Sequence, residues 1–346
     1  MSKTDKPKLR DVARLAGVSL GSASRAISFP DQVKSSTRTK VEEAVRQLRY
    51  VRDGAARALA LRRTYSVGAI FPTLNNPIYA DSIQALQQRL NEVNYQLIIA
   101  SHEYDREREL AAVRNLIDRG IEGLLLVGTD HDPAVFDALN MANRPYVLMW
   151  SVDDCAAHHC VGFNNERGGE LVADHLLALG HKTFAVLAGG RLHNERVRFR
   201  IQGVRNRLAS VGLELAESHI IEQPFSLDGG REGLRQLLAL EPRPTAVICS
   251  TDILGMGVCD EARRLGISVP GQLSVTGFDD ITFSSVASPA LTTVKVPIVE
   301  IGHKSADTLV AQIEGLITQP VTELAISLVA RQSTAAPASE NADKAG

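Results

Sequence analysis

"DVARLAGVSLGSASRAIS", Asp11 to Ser28, is the stretch whose reading decides the fold. Val12, Leu15 and Ala16 stand at helical spacing, Gly17 in "AGVS" ends that helix, and Ser19 restarts the chain with a hydroxyl that can cap a new N-terminus. Ala23, Ala26 and Ile27 give the second helix an inward face. The small residues Ala13, Ala16, Gly17 and Ala23 let the two helices approach closely at a steep angle, as a helix-turn-helix requires. A third helix follows, marked by Val41, Ala44, Val45 and Leu48 and preceded by the hydroxyl cluster Ser35, Ser36 and Thr37. Three short helices make a minimal core, so the rest of a 346-residue chain must fold on its own account.

Charge divides the chain at the same place. Residues 1–63 hold 15 Lys+Arg against 6 Asp+Glu, a net of +9, whereas the whole chain carries −2 and the remainder therefore −11. A basic head on an acidic body points to a polyanion partner for the head alone. Hydrophobic content of 44% and charged content of 23% are those of an ordinary soluble globular protein. No apolar run approaches the roughly 18 to 20 residues of a membrane span, and "MSKTDKPKLR" lacks the apolar centre of a signal peptide, so a cytoplasmic location with no membrane partner is expected. Cys155, Cys160, Cys249 and Cys259 form no CxxC pair, and reduced cysteines are the simplest reading.

"VARLAGVS…SR", "TRTKVEEAVRQLRY" and "AARALA", in that order, resemble the N-terminal DNA-binding domain of the LacI/GalR family of bacterial repressors, and the likeness runs to about residue 335. By that resemblance the second helix, Ser19 to Ser28, enters the major groove, with Leu20, Gly21, Ser22 and Arg25 facing base edges or nearby phosphates. Arg25 is the expected base reader or phosphate clamp, because its forked donors pair bidentately with guanine or phosphate. Leu20 would meet a thymine methyl group; Gly21 either brings the helix closer to the bases or has no reading role. Ser19, Ser24, Ser28, Thr37 and Tyr50 complete the implied DNA-binding set. "YVRDGAARALALRR", Tyr50 to Arg63, would be a hinge helix that forms on the operator when two subunits meet, with Leu59 wedged into the minor groove behind Ala56 and Arg57. Lys8, Arg52 and Asp53 depart from the family's usual threonine, proline and asparagine, which bears on operator preference and not on DNA binding.

From residue 64 strand and helix alternate. Strands are predicted at "SVGAIF", "YQLIIAS", "GLLLVG", "YVLMW", "TFAVLA", "HIIEQ", "TAVICS" and "LSVTGF", with helices such as "ADSIQALQQRLNEV", "LVADHLLALG" and "VRFRIQGVRNRLASVG" between them. Such alternation gives α/β structure with parallel sheets covered by helices. The length suits two sheets, and the resemblance implies the bilobed periplasmic-binding-protein fold of two Rossmann-like subdomains with three crossing strands. The expected divisions are a headpiece at 1–50, a hinge at 51–63, an effector-binding and dimerisation domain at 64–335, and a disordered tail at 336–346. Within the domain, lobe one takes 64–161 and 294–321 and lobe two 162–293 and 322–333.

Ligands of open parallel sheets bind beyond the carboxyl ends of the strands. There lie Pro72, Thr73 and Asn76, then Ser101 and His102, then Trp150, Ser151 and Asp153; in the second lobe come Arg191, Phe225, Thr251 with Asp252, and Phe278 with Asp279. Polar groups with a few aromatic rings suit a small polar ligand. The family's effector contacts map onto Arg200 in "RFRIQG", Phe225, Asp252 in "STDILGMG" and Asp279 in "GFDD". Asp252 either binds in the cleft or caps the helix beginning at Ile253; Asp279 either binds or closes a turn; Trp150 is either core or platform. The cluster Arg191, Arg196, Arg198 and Arg200 makes a sugar acid or carboxylate plausible beside a sugar.

Rival readings have less behind them. "CAAHHC", Cys155 to Cys160, lacks the second ligand pair of a zinc site. No GxSxG elbow, Walker loop or HExxH helix organises the scattered Ser, His and Asp residues, so no catalytic residue, metal or cofactor is expected. A transport-type solute-binding protein would have no use for the basic head. The expectation is a homodimeric transcriptional regulator, a repressor, that binds double-stranded operator DNA on the nucleoid under the control of a sugar, sugar acid or carboxylate effector.

Overall fold

The computed structural model describes residues 6–51, 58, 63–153 and 157–338. The chain divides into two compact units, Met1–Thr64 and Tyr65–Gly346.

The first unit holds α1 (Leu9–Ala16), α2 (Leu20–Ser28) and α3 (Ser35–Leu48). Gly17 ends α1 in the left-handed region, φ 62°, and its N–H reaches back to the carbonyls of Ala13 and Arg14. A side chain there would be strained, so the glycine at the turn is a backbone requirement. Ser19 caps α2, its Oγ accepting from Ser22 N at 3.1 Å. Val12, Ala13, Ala16, Ala23, Ala26, Val41 and Ala44 form the core, and five of these seven are alanine, which is why the helices can pack so closely. Two expectations need correction. Leu15 is 49% exposed, because the buried face of α1 centres on Val12, Ala13 and Ala16. Ser35, Ser36 and Thr37 lie inside the first turn of α3, whose N-cap is Lys34.

The second unit contains two parallel sheets. The larger comprises β1 (Ser66–Phe71), β2 (Gln96–Ser101), β3 (Gly123–Val127), β4 (Tyr146–Met149), β5 (Cys160–Gly162) and β11 (Val321–Glu323), in the spatial order β11-β5-β4-β3-β1-β2. Its helices are α4 (Pro77–Glu92), α5 (Arg106–Asp118), α6 (Pro133–Met141) and α11 (Ile298–Ile313). The smaller comprises β6 (Phe184–Ala188), β7 (Ile220–Glu222), β8 (Ala246–Cys249) and β9 (Ser274–Thr276), in the order β7-β6-β8-β9. It is covered by α7 (Asn165–Ala178), α8 (Glu195–Ala209), α9 (Leu227–Leu237) and α10 (Asp252–Arg264). Strands β1, β3 and β8 are buried along nearly their whole length, so they read as apolar runs without alternation. A two-stranded antiparallel ladder, β10 (Thr293–Lys295) against β12 (Ser327–Val329), carries the chain between the sheets.

Helices α7 and α8 approach at backbone contact. A Cβ at Gly169 would lie 2.0 Å from the Arg200 carbonyl oxygen, and one at Gly203 would lie 1.9 Å from that of Glu166. This contact fixes where α8 presents its arginines. At the far end, the Ala335 carbonyl accepts from Ser274 Oγ at 3.0 Å. Residues 339–346, most of the expected tail, lie outside the described set. Cys249 and Cys259 are buried free thiols, but Cys160 is disulfide-bonded, against the expectation of reduced cysteines. Cys155 lies outside the described residues. Among the described residues no helix is long and apolar enough to cross a membrane.

Candidate functional site

Helix α2 buries Ala23 and Ala26 and leaves Ser19, Leu20, Gly21 and Arg25 exposed; Leu20 is 54% exposed. Ser22, Ser24 and Ser28 on α2, together with Thr37 and Tyr50, are half-buried. The Ser19 hydroxyl is engaged with Ser22, Oγ to Oγ 2.8 Å, so its capping role competes with any outward contact. Elsewhere in this unit Arg14 pairs with Asp11, Arg38 with Asp31 and Glu42, and Arg46 with Glu43. Among the described residues no carboxylate pairs with Arg25, which is exposed on the same helix as Leu20 but about 140° farther round it. A helix that offers an apolar tip, a small residue and an unpaired guanidinium can read base edges in a groove. Arg57 and Leu59, with Arg52, Asp53 and Ala56, lie outside the described residues.

In the second unit the ends of the parallel strands converge on a cavity of about 700 Å3, lined in part by Thr73, Asn76, Tyr104, Phe225, Ser226 and Ile253. Its position follows from the strand order, since β1 and β2 of one sheet and β6 and β7 of the other all point their C-terminal ends at it. Thr73 Oγ1 accepts from Asn75 N at 3.2 Å, and Asn76 Oδ1 caps α4 through Ile78 N at 3.3 Å. Phe225 lies flat on Gly189, where a Cβ would sit 1.9 Å from the ring. Tyr104 packs beside it, ring centroids 6.1 Å apart and planes inclined by 33°. Rings at this separation touch each other, so together they make one aromatic wall on which the body of a ring-shaped ligand can lie.

Behind this cavity lies a buried polar layer. Arg200 donates from Nε to Asn165 Oδ1 at 3.0 Å and from Nη1 to the Ser250 carbonyl at 2.7 Å, and its guanidinium lies 3.6 Å from the Phe278 ring centroid. Asp279 approaches Arg200 only to 3.9 Å, at a backbone φ of 120°. Burial pushes the Asp279 carboxyl well above the usual carboxylate range, although Arg200 pulls the other way. Burial likewise lowers Arg200 in spite of Asp279. Both shifts have one cause, an ion pair too long to offset its own desolvation. Trp150 is 2% exposed and stands edge-on to Tyr79 at 5.5 Å. Its Nε1 is buried and has no hydrogen-bond partner among the described residues, and the same holds for Thr251 Oγ1 and Asn194 Oδ1. Unsatisfied groups around a cavity are where a polar ligand gains most.

Asp252 does not join them. Its Oδ2 accepts from Ile281 N at 2.8 Å and Ser284 Oγ at 2.6 Å, its Oδ1 from Thr293 Oγ1 at 2.5 Å, and the residue is wholly buried. It begins α10 and ties three segments together, so the carboxylate has nothing left for a ligand. Arg191 is also engaged elsewhere, with Glu217 and Glu222 at 2.6 and 2.5 Å. Several cleft residues escaped the sequence reading. Tyr104 lies three residues beyond the end of β2. Thr129 and Asp130 follow β3: Thr129 N donates to Glu195 Oε1 at 2.9 Å, and Asp130 lies 2.6 Å from Arg198. Of the arginine cluster read from the sequence, Arg196 is buried and donates to the Val127 carbonyl at 3.1 Å.

Comparison with known proteins agrees with this geometry. Residues 8–53 match the model of bacterial regulatory proteins, lacI family, and residues 173–334 match that of the periplasmic binding protein-like domain. The chain is similar to the HTH-type transcriptional regulator GntR of Pseudomonas aeruginosa, 34% identical over 333 residues, covering 96% of each chain. It is similar to the ribose operon repressor of Escherichia coli, 31% identical over 317 residues, covering 91% of this chain and 94% of that one. Among solved structures it resembles the lac repressor dimer bound to operator and the anti-inducer ONPF, with a TM-score of 0.86 and 28% identity, covering 96% of this chain and all of that one.

Proposed function

Because the chain belongs to the lacI family of bacterial regulatory proteins, and is thus a DNA-binding transcriptional regulator and not an enzyme, we propose that it is a homodimeric repressor controlled by a small hydroxylated ligand of the sugar or sugar-acid class. Two α2 helices meet successive major grooves of a near-palindromic operator, so the protein's twofold axis coincides with that of the DNA. In each, Leu20, Gly21, Ser22 and Arg25 face the bases, Ser19, Ser24 and Ser28 flank them, and Thr37 and Tyr50 meet the backbone. Arg57 and Leu59 belong to the hinge that forms on the operator. The protein works in the cytoplasm, on the nucleoid.

The effector binds against the joined rings of Phe225 and Tyr104, with Thr73 and Asn76 on another wall and Trp150, Arg200 and Asp279 at the back. The single observation that carries the acid over the neutral sugar is Arg200. Its Nε and Nη1 are committed, and its nearest carboxylate stands at 3.9 Å, so a ligand carboxylate reaching the remaining nitrogen supplies the short charge-assisted bond that Asp279 does not. Effector binding favours one arrangement of the two sheets, and the population of the DNA-competent dimer shifts by no more than the ligand's differential affinity.

A gel-shift titration on DNA upstream of the protein's own gene tests the regulatory reading, with full-length chain and with a chain lacking residues 1–63. Thermal shift with a panel of sugars and sugar acids tests the effector reading, since a ligand of the native state raises Tm. Loss of retardation without the head, and a Tm rise with an acid that Arg200→Ala abolishes, is the expected result. Retardation by the headless chain, or Tm rises confined to neutral sugars, counts against it.

A further inference from the structure

The larger sheet has a second cavity, about 410 Å3, on its other edge. It opens at the N-terminal ends of β4 and β5, whereas the ligand cleft lies beyond the C-terminal ends of the sheet's strands. Asn143, Arg144, Tyr146, His158, His159 and Gln312 are among its lining residues, and among the described residues no carboxylate is. Arg144 Nε is buried without a hydrogen-bond partner among the described residues, and so is Nε2 of Gln312 at the last turn of α11. Arg89, Arg106, Arg198, Arg231 and Arg331 in the same unit each hold a carboxylate. Among the described residues Arg144 holds none. One wall is rigid: the His158 ring stacks on Phe136 with centroids 4.4 Å apart, and its Nδ1 lies 2.9 Å from Tyr146 Oη.

Each buried donor without an acceptor costs about 1–3 kcal/mol, so a cavity in which a guanidinium and an amide stand without an acid among the described residues is complementary to an oxyanion. The volume exceeds what a bare ion needs and falls within the roughly 300–1,000 Å3 of small-molecule sites. We propose that this cavity is a second ligand site, separate from the cleft, that takes the phosphoryl group of a small phosphate monoester on Arg144 and Gln312. Free phosphate shares that chemistry and is distinguished by experiment.

Titration calorimetry on the full chain with glycerol 3-phosphate and with inorganic phosphate, at constant ionic strength in chloride, tests it. Saturable binding that falls about tenfold or more in both Arg144→Gln and Gln312→Leu, and persists in the cleft variant Phe225→Ala, is the expected result. Tighter binding of the ester identifies a phosphorylated metabolite; equal binding of the two identifies free phosphate on the same donors. No saturable binding of either compound overturns the proposal, as does binding that survives both substitutions or is lost only in Phe225→Ala. If Arg144→Gln lowers Tm by more than about 5 °C, a sign of a folding defect, Gln312→Leu and His159→Ala decide by the same criterion.

Discussion

Asp130, in the loop leaving β3, lies with Oδ2 2.6 Å from Nη2 of Arg198 on α8, so the layers of the two sheets are joined by an ion pair at the rim of the cleft. Arg106 holds the other oxygen of Asp130 at 2.7 Å. Beside the pair run two further bridges, Thr129 N to Glu195 and Arg196 Nη1 to the Val127 carbonyl. Burial pushes the Asp130 carboxyl up, but Arg198 and Arg106 more than compensate and leave it below its usual value. This latch holds the sheets together, and any effector that prefers that arrangement is coupled to it.

Breaking the ion pair should weaken the effector without unfolding the unit. Both side chains are partly exposed, 44% for Arg198 and 20% for Asp130, so solvent screens the pair and its worth is about 0.2–1 kcal/mol. Asp130→Asn should therefore lower effector affinity by several-fold at most, measured by calorimetry, and leave Tm within about 2 °C. Affinity equal to that of the unmodified protein would show that the latch does not report on the bound state.

One residue further on, His131 stands between two acceptors, Glu109 Oε1 at 2.8 Å from Nδ1 and the Gly128 carbonyl at 3.0 Å from Nε2. An imidazole bonded in this way donates from both nitrogens and so carries a charge. Burial pushes its pKa down, but the Glu109 hydrogen bond and charge more than reverse this, leaving it above the ordinary 6.5. A histidine whose folded pKa is raised contributes stability that is complete below pH 6.5 and lost as pH rises through the folded value. The Tm of the chain should accordingly fall between neutral and alkaline pH, and His131→Gln should flatten that slope. An unchanged slope in the variant would assign the dependence to other groups.

The strand pattern was legible because buried parallel strands are bare apolar runs, and β1, β3 and β8 announce themselves in that way. Thr73, Asn76 and Phe225 were legible because a parallel sheet puts its ligands at one edge whatever the loops contain. Arg200 could be reached only through family likeness, since nothing local distinguishes it from Arg198, which turns to Asp130. Arg191 misled for a related reason. Its partners Glu217 and Glu222 arrive from a later segment, and a sequence does not say which carboxylate will stand beside which arginine. Tyr104 and Asp130 each stand three residues past a strand end, of β2 and of β3, where no apolar run marks them.

Asp252 separates a structural from a ligand-binding role. Removing its carboxylate leaves the Ser284 and Thr293 hydroxyls and the Ile281 N–H buried without an acceptor. Asp252→Ala should cost about 3–5 kcal/mol, as expected for breaking a buried network, and appear as a large fall in Tm. Burial also raises this carboxyl from 3.8 to about 6, in spite of its three hydrogen bonds. The folded state thus binds the proton more tightly than the unfolded state, and stability falls as pH rises from about 4 to 6. A stable Asp252→Ala variant that had lost only its effector would return the residue to the cleft.

Arg25 offers the sharpest test of the head, because it is exposed on α2 and among the described residues takes part in no ion pair, so its removal costs the fold nothing that can be named. If its fork reads a base, Arg25→Ala should weaken operator binding by about 1–3 kcal/mol, roughly tenfold to a hundredfold, and relax preference at one base pair in each half-site. If instead it grips a phosphate, binding should weaken evenly across sequences and the dependence of log affinity on log salt should become shallower by about 1. Titration of the variant on the operator and on scrambled DNA at several salt concentrations separates the two roles, because only base reading changes the ratio between the two DNAs. Unaltered affinity on both DNAs, with an unchanged salt slope, would mean that α2 meets the duplex by another face.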